Sequence, residues 1–212
     1  MATDTNAHKH QTHPILVWVD CEMTGLEIDK DRLLEVAVIL TDSELNEVDT
    51  LGPLHIQTSQ EVLDNMNEWC KKNHKKSGLT DACLNSSLSM EDVDQELFGL
   101  LKKHGIKRAG LAGNSVSYDR IFLAKWCPKF SSLLHYRNLD VSSFKEIVRR
   151  WYPDQQAFRK KLVHRALEDI RESVAEMKFY QKVYFKSNDE VIQTLKAMQD
   201  QEKVDTKESA EK

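Results

Sequence analysis

The chain has no apolar run approaching the roughly 20 residues that a membrane-spanning helix needs, so no such helix is expected. Its first residues, MATDTNAHKHQTHP, contain neither an apolar core segment nor an arginine. They resemble neither a secretory signal nor a transit peptide. Cysteine is sparse: four residues, at 21, 70, 83 and 127, with no CxxC pair. That argues against a disulfide framework or a zinc knuckle and points to a reducing compartment. A basic excess is also missing, with 30 Lys and Arg against 34 Asp and Glu, a formal net charge of −4. Proteins that grip long nucleic acid without sequence preference do so by neutralising many phosphates, and they carry a basic stripe. If nucleic acid is a substrate here, it is short and held in a pocket. No internal repeat is present.

What is there reads as one α/β domain. At 212 residues, 40% hydrophobic and 30% charged, the chain can bury a substantial core. We expect a disordered N-terminal tail over 1–13, a domain over 14–186 and a charged C-terminal tail over 187–212, in which a short helix runs through Val191, Leu195 and Met198. Ile15–Val19 and Arg32–Thr41 are apolar runs of strand length. Leu54–Gln57 reads as a third strand, at an edge because Pro53 precedes it. Apolar residues at 62, 63, 66 and 69 predict one helix over Gln60–Lys76, stopped at Ser77-Gly78. Ser89 and Asp92 form a capping-box pattern opening a helix to Lys103. Gly110–Gly113 predicts a strand, helices follow at 117–126, 129–135 and 142–151, and a short strand lies near Asn138–Val141. A last domain helix runs from His164 to about Phe185. Strands first and helices interleaved later predict a mixed sheet covered by helices.

Three acidic patterns carry the chemistry. Asp20 and Glu22 stand at the end of the first strand, in WVDCEMTGL. Alternation puts both on one face and Cys21 on the other. Two carboxylates about 4 Å apart repel by on the order of 4 kcal/mol at an effective dielectric near 20. A hard divalent cation removes that repulsion, although a solvated strand end with two unrelated acids is the competing reading. Asp119, in NSVSYD, falls on the first turn of a helix, where an acid also suits the macrodipole. His164 and Asp169, in HRALED, are five apart, which on a helix is about 140° of rotation. They can converge only if His164 lies on the approach to the helix. Glu168 is a competing acid, and Arg165 a competing partner for Asp169.

Taken in order, DxE on the first strand, Asp on a middle helix and HxxxxD on the last helix resemble the DEDD exonuclease superfamily in its histidine subclass. The segments WVDCEMTGL, LAGNSVSYDR, LHYRNLDVSSFKEIVRRWYP and HRALEDIRES resemble the oligoribonuclease family, across roughly residues 15–185. Cys21 departs from the larger aliphatic residue usual there, and the match is weaker between Pro153 and Val163. The resemblance implies a ribonuclease-H-like mixed β-sheet flanked by α-helices. It implies that Asp20, Glu22, Asp119 and Asp169 hold two divalent cations, Mg²⁺ or Mn²⁺, with His164 as general base. It assigns Leu26 and Trp69 to a sandwich around the terminal base, where composition alone would bury both in a core. His74 and Ser115 match positions near the sugar-phosphate; a solvated helix-end histidine and a helix N-cap serine are the plainer alternatives. Tyr136 and Arg137 match residues that family homodimers supply in trans to cap the 5′ phosphate. The implied activity is 3′-to-5′ cleavage of short RNA, dinucleotides especially, to 5′-mononucleotides. The compartment is intracellular: cytoplasm, with nucleus or mitochondrion also open.

Three rival readings remain at this level. A DNA-proofreading exonuclease of the same superfamily would share the acids but not the pocket residues. A silent nucleic-acid-binding module would not need all four acids and a histidine. A structural Ca²⁺ protein would gather its acids in one loop.

Overall fold

The computed structural model describes residues 14–153, 158 and 166–210. The chain divides into two units, Met1–Met177 and Lys178–Lys212. The first holds a five-stranded mixed sheet in the order β3-β2-β1-β4-β5. Its strands are β1 (Leu16–Met23), β2 (Leu33–Thr41), β3 (Glu47–His55), β4 (Ala109–Gly113) and β5 (Leu134–Asp140). β1 is central. It pairs antiparallel with β2, setting Asp20 opposite Ala37 and Glu22 opposite Glu35, and parallel with β4.

Burial along β1 explains where chemistry can sit. Val17, Trp18 and Val19 are buried, and beyond them burial alternates: Cys21 and Met23 are buried while Asp20 and Glu22 are partly open. The strand therefore leaves the core at its C-terminal end and carries two acids out on one face. β2 is buried at every position, as a strand covered on both faces must be. One face packs the main core through Val36, Val38 and Leu40; Leu34 joins a second cluster with Leu63, Met66, Cys70 and Leu79.

The helices are α1 (Gln60–Asp64), α2 (Glu68–Ser77), α3 (Leu79–Asn85), α4 (Met90–Lys103), α5 (Ser117–Trp126), α6 (Pro128–Ser131), α7 (Val141–Trp151), α8 (Ala166–Tyr184) and α9 (Asn188–Ala210). The capping box forms as expected: Ser89 Oγ accepts from Asp92 N and the Asp92 carboxylate accepts from Ser89 N. The single helix expected over 60–76 is instead broken at Asn65–Asn67. Asn67 starts α2 afresh, its side chain accepting from Cys70 N at 2.9 Å. The stop at Gly78 is real, with φ +82°, a conformation glycine adopts without strain. α6 ends earlier than expected and β5 starts earlier, at Leu134, because this segment pairs with β4. β3 likewise begins at Glu47 rather than Leu54 and is an edge strand. Its middle tolerates Gly52-Pro53. A Cβ at Gly52 would stand 2.8 Å from the Val36 carbonyl oxygen, and φ there is +99°.

The second unit contains the end of α8 and all of α9. Phe179, Tyr180 and Tyr184 stack edge-on or tilted, with ring centroids 5.7 to 6.2 Å apart. α9 continues well past the apolar positions that predicted it. Among the described residues, no helix is long and apolar enough to cross a membrane.

Candidate active site

A cleft of about 460 Å³ opens over the C-terminal end of β1. Its floor is Asp20 to Met23. One wall comes from the β1–β2 loop and α2, the other from the β4–α5 corner. The loop is pinned by Asp31, whose carboxylate accepts from Thr24 Oγ1 at 2.7 Å and Glu27 N at 2.8 Å. Gly25 is required there, since a Cβ would collide with that carboxylate.

Asp20, Glu22 and Asp169 offer oxygens that all lie within 4.8 Å of one another. The alternation of β1 supplies the first two. The first turn of α8 supplies the third, so Asp169 joins the group, while its exposed neighbour Glu168 lines an adjoining cavity that Glu22 also borders. Asp119, also on a first helical turn, is buried on the far wall. Its Oδ1 accepts from the Cys21 N–H at 2.9 Å. Cys21 is buried as expected, but its main chain is part of the site because it anchors this fourth acid. His164 lies outside the described residues.

The electrostatics are those of acids crowded away from water. Burial, then the Asp119 and Glu22 charges, push the Asp20 carboxyl well above its usual range. Glu22 is raised to about 7 by burial first, then by Glu35, Asp169 and Asp119. Burial raises Asp119 to about 6. Clustered carboxylates, three of which resist ionisation, are the right chemistry for a divalent cation, which supplies the missing positive charge.

This has a consequence for stability. The folded state holds the Glu22 proton more tightly than the unfolded chain does. Its contribution is therefore present below pH 4.5 and lost as pH rises through 7. For Glu22 alone the loss is on the order of 3 kcal/mol, and Asp20 and Asp119 act in the same direction. A bound cation offsets it only where the acids are ionised. We expect Mn²⁺ to raise Tm by roughly 5–10 °C at pH 8 and by little at pH 5. Scanning calorimetry at both pH values checks this. An equal shift at both would place the bound metal somewhere other than these acids.

Leu26 and Trp69 are 62% and 64% exposed and line the cleft, so neither belongs to a core. His74 is buried, not solvated at a helix end. A carbonyl can only accept, so the 2.9 Å contact with the Met23 oxygen places a proton on Nε2. Burial lowers the His74 pKa, favouring the neutral ring, and Nδ1 lies 3.8 Å from Glu22 Oε2. Ser115 is not a helix cap; Val116 holds that position. It adopts φ +51°, unusual for serine, with its N–H donating to Asp140 Oδ1 at 2.9 Å. Tyr136 and Arg137 sit exposed on edge strand β5, the Arg137 guanidinium 5.4 Å from the Tyr136 ring centre, and neither lines the cleft.

The sequence reading missed Tyr118. It is half exposed and lines the cleft one residue before Asp119. An exposed aromatic on a first helical turn beside an acid was the available signal.

Residues 17–177 match the RNase_T family, described as exonuclease. The chain is 47% identical over 182 residues to a probable oligoribonuclease of Dictyostelium discoideum, covering 82% of this chain and 96% of that one. It is 45% identical over 176 residues to the mitochondrial oligoribonuclease of Homo sapiens, covering 81% and 73%. It is 43% identical over 166 residues to the oligoribonuclease of Francisella tularensis subsp. novicida, covering 78% and 93%. Among solved structures, exonuclease I of Methylocaldum szegediense shares the fold, with a TM-score of 0.60 at 16% identity over 80% of this chain and 41% of that one. A zinc-bound complex of E. coli exonuclease I with single-stranded DNA has a TM-score of 0.61 at 13% identity, covering 82% and 41%.

Proposed function

Because the chain belongs to the oligoribonuclease family of exonucleases, we propose that it cleaves very short RNA from the 3′ end by a two-metal-ion mechanism, releasing 5′-mononucleotides. The observation that carries this reading is the Asp20–Glu22–Asp169 triad, whose first two members form the floor of a cleft, with Asp119 bound to the same strand.

The four acids would hold two Mg²⁺ or Mn²⁺ ions. When bound, such a pair supplies a water of lowered pKa and neutralises charge on the attacking and leaving oxygens. The chain's own residues do the rest. Leu26 and Trp69 project from one wall, and a base between an aliphatic side chain and an indole gains roughly 1–3 kcal/mol with no preference for sequence. Tyr118, opposite, offers a further ring. His74, its Nε2 held by the Met23 carbonyl, turns Nδ1 toward the Glu22 side of the cleft, near where the sugar-phosphate would lie. Ser115 has its N–H committed to Asp140 and its hydroxyl proton to Ser142, so its oxygen offers a substrate an acceptor. His164 accepts the proton of the attacking water, a task suited to a group titrating near ~6.5.

Tyr136 and Arg137 stand outside the cleft of their own chain, which fits their acting on a second copy in a homodimer. A guanidinium donates bidentate hydrogen bonds to phosphate. Placed at the 5′ end, it closes the pocket against longer chains, and a protein of net negative charge then needs few phosphate contacts. One relative is named as mitochondrial, and that compartment is among those this chain is proposed to serve, with the cytoplasm and the nucleus.

The test is chromatography of products from a labelled diribonucleotide, with Mn²⁺ and with EDTA, beside a twentymer and a matched deoxydinucleotide. We expect mononucleotides from the diribonucleotide, dependence on the metal and much slower cleavage of the twentymer. Equal rates on both lengths would reject the closed pocket. Arg137→Ala should flatten the length preference while leaving metal binding unchanged.

A further inference from the structure

Asn114 ends β4, between Gly113 and the left-handed Ser115, and its amide reaches in two directions. Nδ2 donates to Ser173 Oγ at 2.7 Å and to Glu176 Oε2 at 3.4 Å, both on α8. Oδ1 accepts from Ser142 Oγ at 3.1 Å, on the first turn of α7. Each partner is tied in turn to a group of the site. Ser173 Oγ donates to the Asp169 carbonyl at 2.8 Å. Ser142 Oγ accepts from the Ser115 N–H at 3.1 Å, and Asp140 Oδ1 accepts from both Ser115 N and Ser142 N at 2.9 Å. A continuous chain of hydrogen bonds therefore runs from Asp169 through Ser173, Asn114 and Ser142 to Ser115.

Among these bonds the donors are consistently assigned. The Ser173 hydroxyl donates to the Asp169 carbonyl and accepts from Asn114. The Ser142 hydroxyl donates to Asn114 Oδ1, so the Ser115 hydroxyl, 3.2 Å away, is the donor to Ser142. An amide is the only common side chain that offers a donor on one arm and an acceptor on the other in a planar fork. Aspartate would turn an oxygen toward the Glu176 carboxylate, and an aliphatic residue would serve neither side. Ser173 and Glu176 are buried, 5% and 0% exposed. In that low-dielectric setting an unmet or repelling group cannot be rescued by solvent.

We propose that Asn114 is a positioning residue that fixes α8, and with it Asp169, against the corner that presents Ser115 and Asp119. It would hold the acids and the substrate-facing serine at a set separation: although Asn114 borders the cleft, both arms of its amide are committed to Ser173, Glu176 and Ser142. The proposal rests on the reading of Asp20, Glu22 and Asp169 as a cation site. Groups behind the ligands of a metal site that orient them alter affinity by about 10–100-fold when lost.

The test uses the full chain and four variants: Asn114→Asp, Glu176→Gln, the two combined, and Ser173→Ala. Mn²⁺ binding to the metal-free protein is measured by calorimetry at pH 8, with thermal melts and diribonucleotide kcat and KM alongside. Asn114→Asp should weaken Mn²⁺ binding by about 10–100-fold and lower kcat more than it changes KM. In the combined variant the amide at 176 donates to the carboxylate at 114, and most of the lost affinity and turnover should return. Ser173→Ala cuts only the link to α8 and should weaken Mn²⁺ binding in the same direction by a smaller factor. It decides the matter if Asn114→Asp does not fold. Wild-type Mn²⁺ affinity in either folded variant would overturn the proposal, as would a folded combined variant no better than Asn114→Asp. If the wild-type chain itself bound no Mn²⁺, the cation reading would fall first.

Discussion

Asp169→Asn should remove turnover of a diribonucleotide, with kcat/KM falling at least about 10³-fold, while Glu168→Gln, one residue away, stays close to wild type. The contrast follows from geometry. Both acids stand on the first turn of α8, yet the oxygens of Asp169 come within 4.8 Å of those of Asp20 and Glu22. Replacing that carboxylate by an amide keeps the shape and deletes a negative charge, so a cation loses an anionic ligand. Fold stability should not suffer, because the metal-free site is relieved of repulsion: Asp169 is among the charges that raise both Asp20 and Glu22. The expected signature is therefore an inactive protein whose Tm at pH 8 without metal is equal to or above wild type. Mn²⁺ should then raise its Tm less. Steady-state kinetics with paired melts measure both halves. Substantial activity in Asp169→Asn, or an equal loss in Glu168→Gln, would remove Asp169 from its assigned place. Asp119→Asn should also abolish turnover at any Mg²⁺ level, although its carboxylate sits on the far wall, anchored by the Cys21 N–H.

His164→Ala should cost about 10²–10⁴ in kcat, the usual worth of a positioned general base, and leave Mn²⁺ binding nearly intact. The five-residue spacing to Asp169 requires His164 to lie on the approach to the helix if both serve one centre. A base must be neutral to accept a proton, so wild-type kcat should fall on the acid side as His164 takes up a proton. That limb should be missing in the variant. A side chain acting as a ligand behaves differently: its loss would weaken the metal in proportion to the rate. Calorimetric Mn²⁺ titration beside a pH–rate profile separates the two roles. Parallel loss of affinity and rate would assign His164 to the metal instead.

Much of the frame was legible before any coordinates. β1, β2 and β4 are built on short apolar runs, and the α4 capping box and the Gly78 stop are local signals written within a few residues. The pairing of Asp20 with Glu22 on one face followed from strand alternation. Other elements were hidden because their cause lies elsewhere in the chain. Glu47 to Pro53 has little strand character and becomes β3 because β2 offers it a row of hydrogen-bonding partners. Leu134 to Arg137 does the same against β4. The break between α1 and α2 reversed an apolar pattern that suited one long helix, because Asn67 caps a new one.

For the site, residue types and spacing alone determined the inventory: four dispersed acids, a histidine, and an aliphatic and an indole in matching segments. They also left it ambiguous. Leu26 and Trp69 had the look of core residues, and Glu168 competed with Asp169. Tertiary structure decided those questions, because exposure and convergence depend on where distant segments meet rather than on what each contains. The rotation of α8 chose Asp169, the wall positions of the β1–β2 loop and α2 left Leu26 and Trp69 open, and the role inferred for Asn114 became visible only when α7 and α8 closed on either side of its amide. Side-chain chemistry is carried by the sequence; the distances that turn it into a site exist only after long-range packing has selected one arrangement.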